Sequence, residues 1–167
     1  MADITQKITP FLWFDKEAKE AMEFYTSVFK DGKIISVQYY PEGSQEEHMK
    51  GMEGKVLTGV FEIAGQRFMA LDGGPIFTFN ESVSFYVECD GQEEVDYFWE
   101  KFTANGGEES QCGWLKDKFG LSWQIIPKQM GELLSSPEQE KAGRAVGAMM
   151  QMKKIDLAKL QEAFDGK

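Results

Sequence analysis

One histidine and two cysteines limit the chemistry open to this chain from the outset. His48 stands in an acidic stretch beside Glu46 and Glu47. Its imidazole has a pKa near neutrality, but without companion ligands it cannot build a multi-histidine metal site, and it reads as a solvated loop residue. Cys89 and Cys112 are too far apart for a Cys-x-x-Cys pair and have no companion ligand motif, so both read as small buried hydrophobes, with a reactive thiol at Cys112 the secondary reading. Nucleophilic hydrolysis of the Ser-His-Asp kind needs an imidazole near a strand-to-helix serine elbow, and His48 has none. Rossmann-type binding of a dinucleotide or of S-adenosylmethionine needs a Gly-rich turn between a first strand and its helix. Gly73-Gly74-Pro75 leads instead into Ile76-Phe77-Thr78 and reads as a turn linking two halves, while Asp117-Lys118-Phe119-Gly120 reads as a hairpin turn.

The elements that would position such groups must come from 167 residues with 18 Lys+Arg, 28 Asp+Glu, 42% hydrophobic and 13% aromatic residues. This is the composition of a compact acidic domain, and one of this size buries roughly 70% of its unfolded surface without needing disulfide staples. A net charge of -10 repels phosphate backbones and anionic lipid, which argues against nucleic acid and membrane as partners. The start, MADITQKITPFLWF, has no basic region leading into a long apolar run, and no window approaches the roughly 18 apolar residues of a spanning helix. A cytoplasmic location is expected.

The two halves repeat one order of elements. FLWFD at 11–15 precedes a helical stripe of Ala18, Ala21, Met22, Tyr25, Val28 and Phe29; VSFYVECD at 83–90 precedes Val95, Phe98, Trp99 and Phe102. A shift of 74 superposes the helices and sets Phe11 on Phe85, while a shift of 55 sets Gly65 on Gly120 and Phe68 on Trp123. The difference falls in the polar stretch 41–54, read as a mobile loop and a candidate lid. Strands are expected near 7–14, 33–40, 55–64 and 67–72, then 82–89, 108–112, 113–118 and 121–127. The fold class is therefore α+β: tandem βαβββ modules, about 4–74 and 80–128, forming a curved mixed sheet in a single domain of residues 1–128. Residues 129–167 form a helical extension, with a helix starting at Ser136-Pro137-Glu138 and Asp156 capping a last one, packed on the domain or on a partner subunit.

The blocks KITPFLWFDKEAKEAMEFYTSVF, GVFEIAGQRFMALDGGP, SVSFYVECD, EEVDYFW, CGWLKDKFGLSWQIIP and MMQMKKIDLAKLQEAF resemble the PhnB-like branch of the vicinal-oxygen-chelate superfamily over nearly the whole chain. That superfamily includes glyoxalase I, extradiol dioxygenases and bleomycin-binding proteins, and members of this branch carry the label 3-demethylubiquinone-9 3-methyltransferase. The resemblance implies a glyoxalase/bleomycin-resistance fold and a homodimer. In metal-dependent relatives, first and last strands of each repeat supply ligands. The matching positions hold Thr9 (or Ile8), Ser82 or Val83, Met69 and Gln124, a set expected to hold no metal. Strand alternation then puts Thr9, Phe11 and Trp13 on one face with Arg67, Met69 and Leu71, with Ser82, Ser84 and Tyr86, and with Ser122, Gln124 and Ile126. The expectation is a cofactor-free protein that binds a small apolar or aromatic molecule in a metal-free cleft between the two modules. The alternatives are a lyase or dioxygenase of the superfamily, or the methyltransferase of the label.

Overall fold

A buried carboxylate organises the first module. In the computed structural model, which describes residues 6–43 and 46–167 apart from the His48 side chain, Asp72 is 2% exposed. Its Oδ1 accepts from Ala18 N at 2.8 Å and its Oδ2 from Val56 N at 2.9 Å. These bonds join the end of one strand, β4 (Gln66–Asp72), to the start of helix α1 (Ala18–Val28) and of strand β3 (Val56–Ile63). The helix has no side-chain cap of its own at Glu17, so the Asp72 carboxylate fills that role from outside. Strands β1 (Phe11–Phe14) and β2 (Lys33–Tyr39) complete a four-stranded mixed sheet of order β1-β4-β3-β2, with β1 parallel to β4 and the other pairs antiparallel.

Helix α1 lies on one face of this sheet through Ala18, Ala21, Met22, Tyr25 and Val28, all buried. Tyr25 stacks on Phe61 with ring centroids 6.0 Å apart, and Phe61 on Phe68 at 5.4 Å. Met22 sits so close to Gly59 that a Cβ there would come 2.4 Å from its sulfur; the glycine lets the helix settle on the strand. The adjoining hairpin is clasped by Asp31, which accepts from Ala64 N at 3.0 Å and Gly65 N at 2.9 Å.

The second module repeats this order with β5 (Ser84–Cys89), α2 (Gln92–Thr103), β6 (Glu108–Glu109), β7 (Trp114–Lys116) and β8 (Ser122–Pro127), in a sheet of order β5-β8-β7-β6. The helix presents Val95, Phe98, Trp99 and Phe102, and Phe102 stacks on Trp123 with centroids 4.5 Å apart. Asp117, 2% exposed, clamps the expected hairpin by accepting from Phe119 N, Leu121 N and Trp123 Nε1. Two tandem βαβββ modules of the glyoxalase/bleomycin-resistance fold are thus present, as two four-stranded sheets; the chain divides into two compact units between Thr78 and Phe79.

Three helices follow β8: α3 (Lys128–Leu134), α4 (Gln139–Met149) and α5 (Leu157–Asp165). They form a core of Ala145, Ile155 and Leu160 around Ile126, with Met130, Leu133, Leu134, Met149, Met152 and Phe164 packed against it. The tail also bonds to its own module: Cys112 N and Gly113 N donate to Met152 O and Lys153 O, and Leu157 N donates to Gln92 Oε1 at 2.9 Å. Asp156 caps α5 as expected, accepting from Lys159 N at 3.1 Å. Helix α4 starts at Gln139, later than Ser136, whose Oγ accepts only from Glu138 N at 3.3 Å. Helix α3 opens the stretch expected to be helical, ahead of the first helix start read at Ser136, and it turns Met130, Leu133 and Leu134 toward this core. In the 41–54 stretch, residues 44–45 lie outside the described residues, so the lid reading is untouched there, while Glu47–Met49 form a single 3-10 turn. Among the described residues no helix is long and apolar enough to cross a membrane.

Replacing Asp72 with Asn puts an amide NH2 toward one of two backbone donors. The substitution is expected to lower unfolding stability by about 3 kcal/mol in urea titrations. An unchanged midpoint would show that the junction does not depend on the carboxylate.

Candidate functional site

Alternation along paired strands divides each sheet into a helix-covered and a helix-free face. In the first module Leu12, Phe14, Phe61, Phe68 and Ala70 are buried under α1, and Phe11, Trp13, Val60, Arg67, Met69 and Leu71 share the other face. In the second, Phe85, Leu115, Trp123 and Ile125 lie on the α2 side, and Ser84, Tyr86, Trp114, Ser122, Gln124 and Ile126 on the other. Register refines the repeat. Phe11 pairs with Met69, and Tyr86 with Gln124. Since Met69 and Gln124 correspond, Phe11 corresponds to Tyr86 and not to Phe85, and Thr9 corresponds to Ser84 and not to Ser82 or Val83. The one-residue correction arises because residues 15–17 join β1 to α1, whereas Asp90-Gly91 alone join β5 to α2.

The residues expected to line a site are distributed unevenly. Phe11 and Tyr86 are 51% and 56% exposed. Met69 and Leu71 are half-buried beside Phe11 and Trp13. Thr9 precedes β1 and Ser82 precedes β5, where its N and Oγ both donate to Asn80 Oδ1. Trp13 is held by its own chain. Its Nε1 donates to Gly74 O at 2.9 Å, its ring meets Phe77 edge-on at 5.0 Å, and a Cβ at Gly73 would come 2.2 Å from it. Arg67 is also engaged, its Nη2 3.2 Å from Glu62 Oε1 while Lys33 Nζ lies 2.9 Å from Glu62 Oε2. Lys33 and then Arg67, by hydrogen bonding, hold the Glu62 carboxyl below its ordinary value. Gln124 Nε2 donates to Ser84 Oγ at 2.9 Å. Burial and then the Glu88 carboxylate raise the Tyr86 phenol above its ordinary value. Ile126 leaves the set: it is 2% exposed under the C-terminal helices. Trp114, which pairs with Gln124 on the same face, is absent from the expected set although it lies in the strand expected at 113–118; alternation from Gln124 across that pair would have found it.

A divalent transition metal does not fit these residues. Thr9, Met69, Ser84 and Gln124 supply hydroxyls, a thioether and an amide already donating to Ser84, with no imidazole or carboxylate among them. Among the described residues no group of three His, Cys, Asp or Glu is placed to hold a metal. The β1–α1 turn, Asp15-Lys16-Glu17, contains no glycine, and the first N–H of α1, on Ala18, is taken up by Asp72, while Glu94 of α2 accepts from Asp90 N at 2.7 Å ahead of that helix.

A family profile described as 3-demethylubiquinone-9 3-methyltransferase matches residues 6–126. Among solved structures, a PhnB protein from Bacillus cereus is 37% identical with a TM-score of 0.65, over 73% of this chain and 99% of that one. Protein PA1353 from Pseudomonas aeruginosa is 19% identical with a TM-score of 0.59, over 74% and 98%, a likeness of fold. No curated protein matches the sequence.

The thiols differ in setting. Burial pushes Cys89, 0% exposed, up to about 12, whereas Cys112 is half-buried in the loop before β7. In native protein at pH 8, a thiol reagent is expected to titrate Cys112 alone, and C112S to abolish the reaction; modification of Cys89 without unfolding would contradict this burial.

Proposed function

We propose that this chain, which belongs to the 3-demethylubiquinone-9 3-methyltransferase family in the PhnB-like branch of the vicinal-oxygen-chelate superfamily, binds a small neutral aromatic or apolar molecule on the helix-free faces of its sheets. One observation carries this reading. Phe11 and Tyr86 occupy corresponding positions of the two modules, and both aromatic rings stand more than half exposed where burial would be the default. Met69 and Leu71 beside Phe11 offer further apolar contact, and the Ser84–Gln124 pair beside Tyr86 offers a polar handle. Methyl transfer is not carried over from the family description, because neither strand-to-helix turn has the glycine-rich form that cradles S-adenosylmethionine.

Neutral aromatic fragments such as indole and quinoline are expected to shift the NMR signals of β1, β4, β5 and β8 and to raise the melting temperature, whereas S-adenosylmethionine gives no binding heat. Phe11→Ala and Tyr86→Ala should each weaken fragment binding about tenfold, the equivalent of roughly 1.4 kcal/mol of aromatic contact. Fragment binding insensitive to both variants would reject these faces as the site.

The same reading includes a homodimer. Edge strand β2 exposes Ile35 at 48% and Tyr39 at 45%, an apolar edge that a second copy would cover. Sedimentation equilibrium is expected to give twice 19.0 kDa for the wild type and a single chain mass for I35E. A monomeric wild type would remove this part of the proposal.

A further inference from the structure

The helix-free face of the second module contains a cavity of about 120 Å3 near the start of β8. Ser122 lines it, and although this residue is 1% exposed, its Oγ makes no hydrogen bond with the protein. A hydroxyl taken out of water without a partner is costly, and in a native core it marks a place where something else is meant to meet it. The remaining walls define what that is. Glu81, Glu108 and Glu109 bring three carboxylates: Glu109 accepts from Trp99 Nε1 and is ion-paired to Lys153, while Lys116, the one ammonium in the wall, is ion-paired to Glu81 and lies directly across the β6–β7 ladder from Glu108. One negative charge is therefore in excess. Trp114, two residues before Lys116 on the same face, contributes an indole to the wall.

We infer that this cavity binds the ammonium group of a small primary amine. An ammonium offers three donors and no acceptor, which suits an orphan hydroxyl oxygen and a surplus carboxylate. Its charge gains from the face of an indole and from the net charge of -10 on the chain. A carboxylate or phosphate would meet Glu81 and Glu108 with only a lysine already paired. An uncharged alcohol could bond to Ser122 but would leave the charge uncompensated. The volume admits the ammonium and a few carbons, so a longer amine would extend along the sheet toward Gln124 and Tyr86. The inference shares a sheet face with the proposed function but does not depend on it.

The test is an NMR titration of the 15N-labelled full chain with n-propylammonium chloride, n-propanol and sodium propionate. Only the ammonium is expected to shift the Trp114 indole N–H and the Ser122 amide saturably. Glu108→Gln and Ser122→Ala should each weaken it about tenfold, as the loss of one bond to a charged group does. Ser122→Ala should not lower the melting temperature, since the hydroxyl bonds to no protein group, and this separates lost binding from lost folding. No shift, equal shifts with propanol, or unchanged affinity in both variants would overturn the inference. Tyr86→Ala distinguishes the two proposals: it should weaken neutral aromatic fragments and leave propylammonium binding intact, while Glu108→Gln should do the reverse.

Discussion

The Asp72 carboxylate decides where helix α1 begins. A helix start has backbone donors without intrahelical partners, and α1 has no side-chain cap of its own. Asp72 answers one of those donors and the first N–H of β3 with its two oxygens, so helix, strand start and strand end meet at one buried group. With the helix placed there, Met22 falls on Gly59 and Tyr25 on Phe61, and the face left without a helix is the one that carries Phe11 and Met69. The second module divides the same work. Glu94 receives Asp90 N ahead of α2, and Asp117 ties the β7–β8 hairpin to the indole of Trp123 under that helix.

The two modules share a plan but finish their helix-free faces differently. Leu71 and Ile126 correspond, yet Leu71 keeps partial exposure while Ile126 lies beneath the C-terminal helices. At the matching end of the first sheet the chain itself turns back over Trp13, through Gly73, Gly74 and Phe77. Each face is thus shortened at one end by local packing, and the exposed rings of Phe11 and Tyr86 are what remains.

Most polar groups on these faces are matched to one another. Arg67 and Lys33 share Glu62, and Gln124 is turned toward Ser84. Paired groups of this kind orient a ligand more readily than they transform one, since a reactive group needs a free or perturbed acid, base or nucleophile. Ser122 stands apart because its hydroxyl is buried without a protein partner.

Strand and helix identity, the hairpins at Gly65 and Gly120 and the Asp156 cap were legible in the sequence, because each depends on periodicity or on residues a few positions apart. Alternation also put Phe11 on one face with Met69 and Tyr86 on one face with Gln124, the partners that the strand registers give them. It could not tell what else lies on those faces. Trp13 is bracketed by a turn 60 residues further along the chain, and Ile126 is buried by Ile155 and Leu160; both outcomes depend on contacts between distant segments. The correspondence of Phe11 with Tyr86 was likewise invisible, since a one-residue difference in a connecting turn shifts a strand relative to its helix without disturbing either pattern. Local spacing therefore determined the elements and their faces. Only the tertiary structure decided which residues on those faces meet solvent, because exposure is set by whatever packs above a residue and not by the residue's own period.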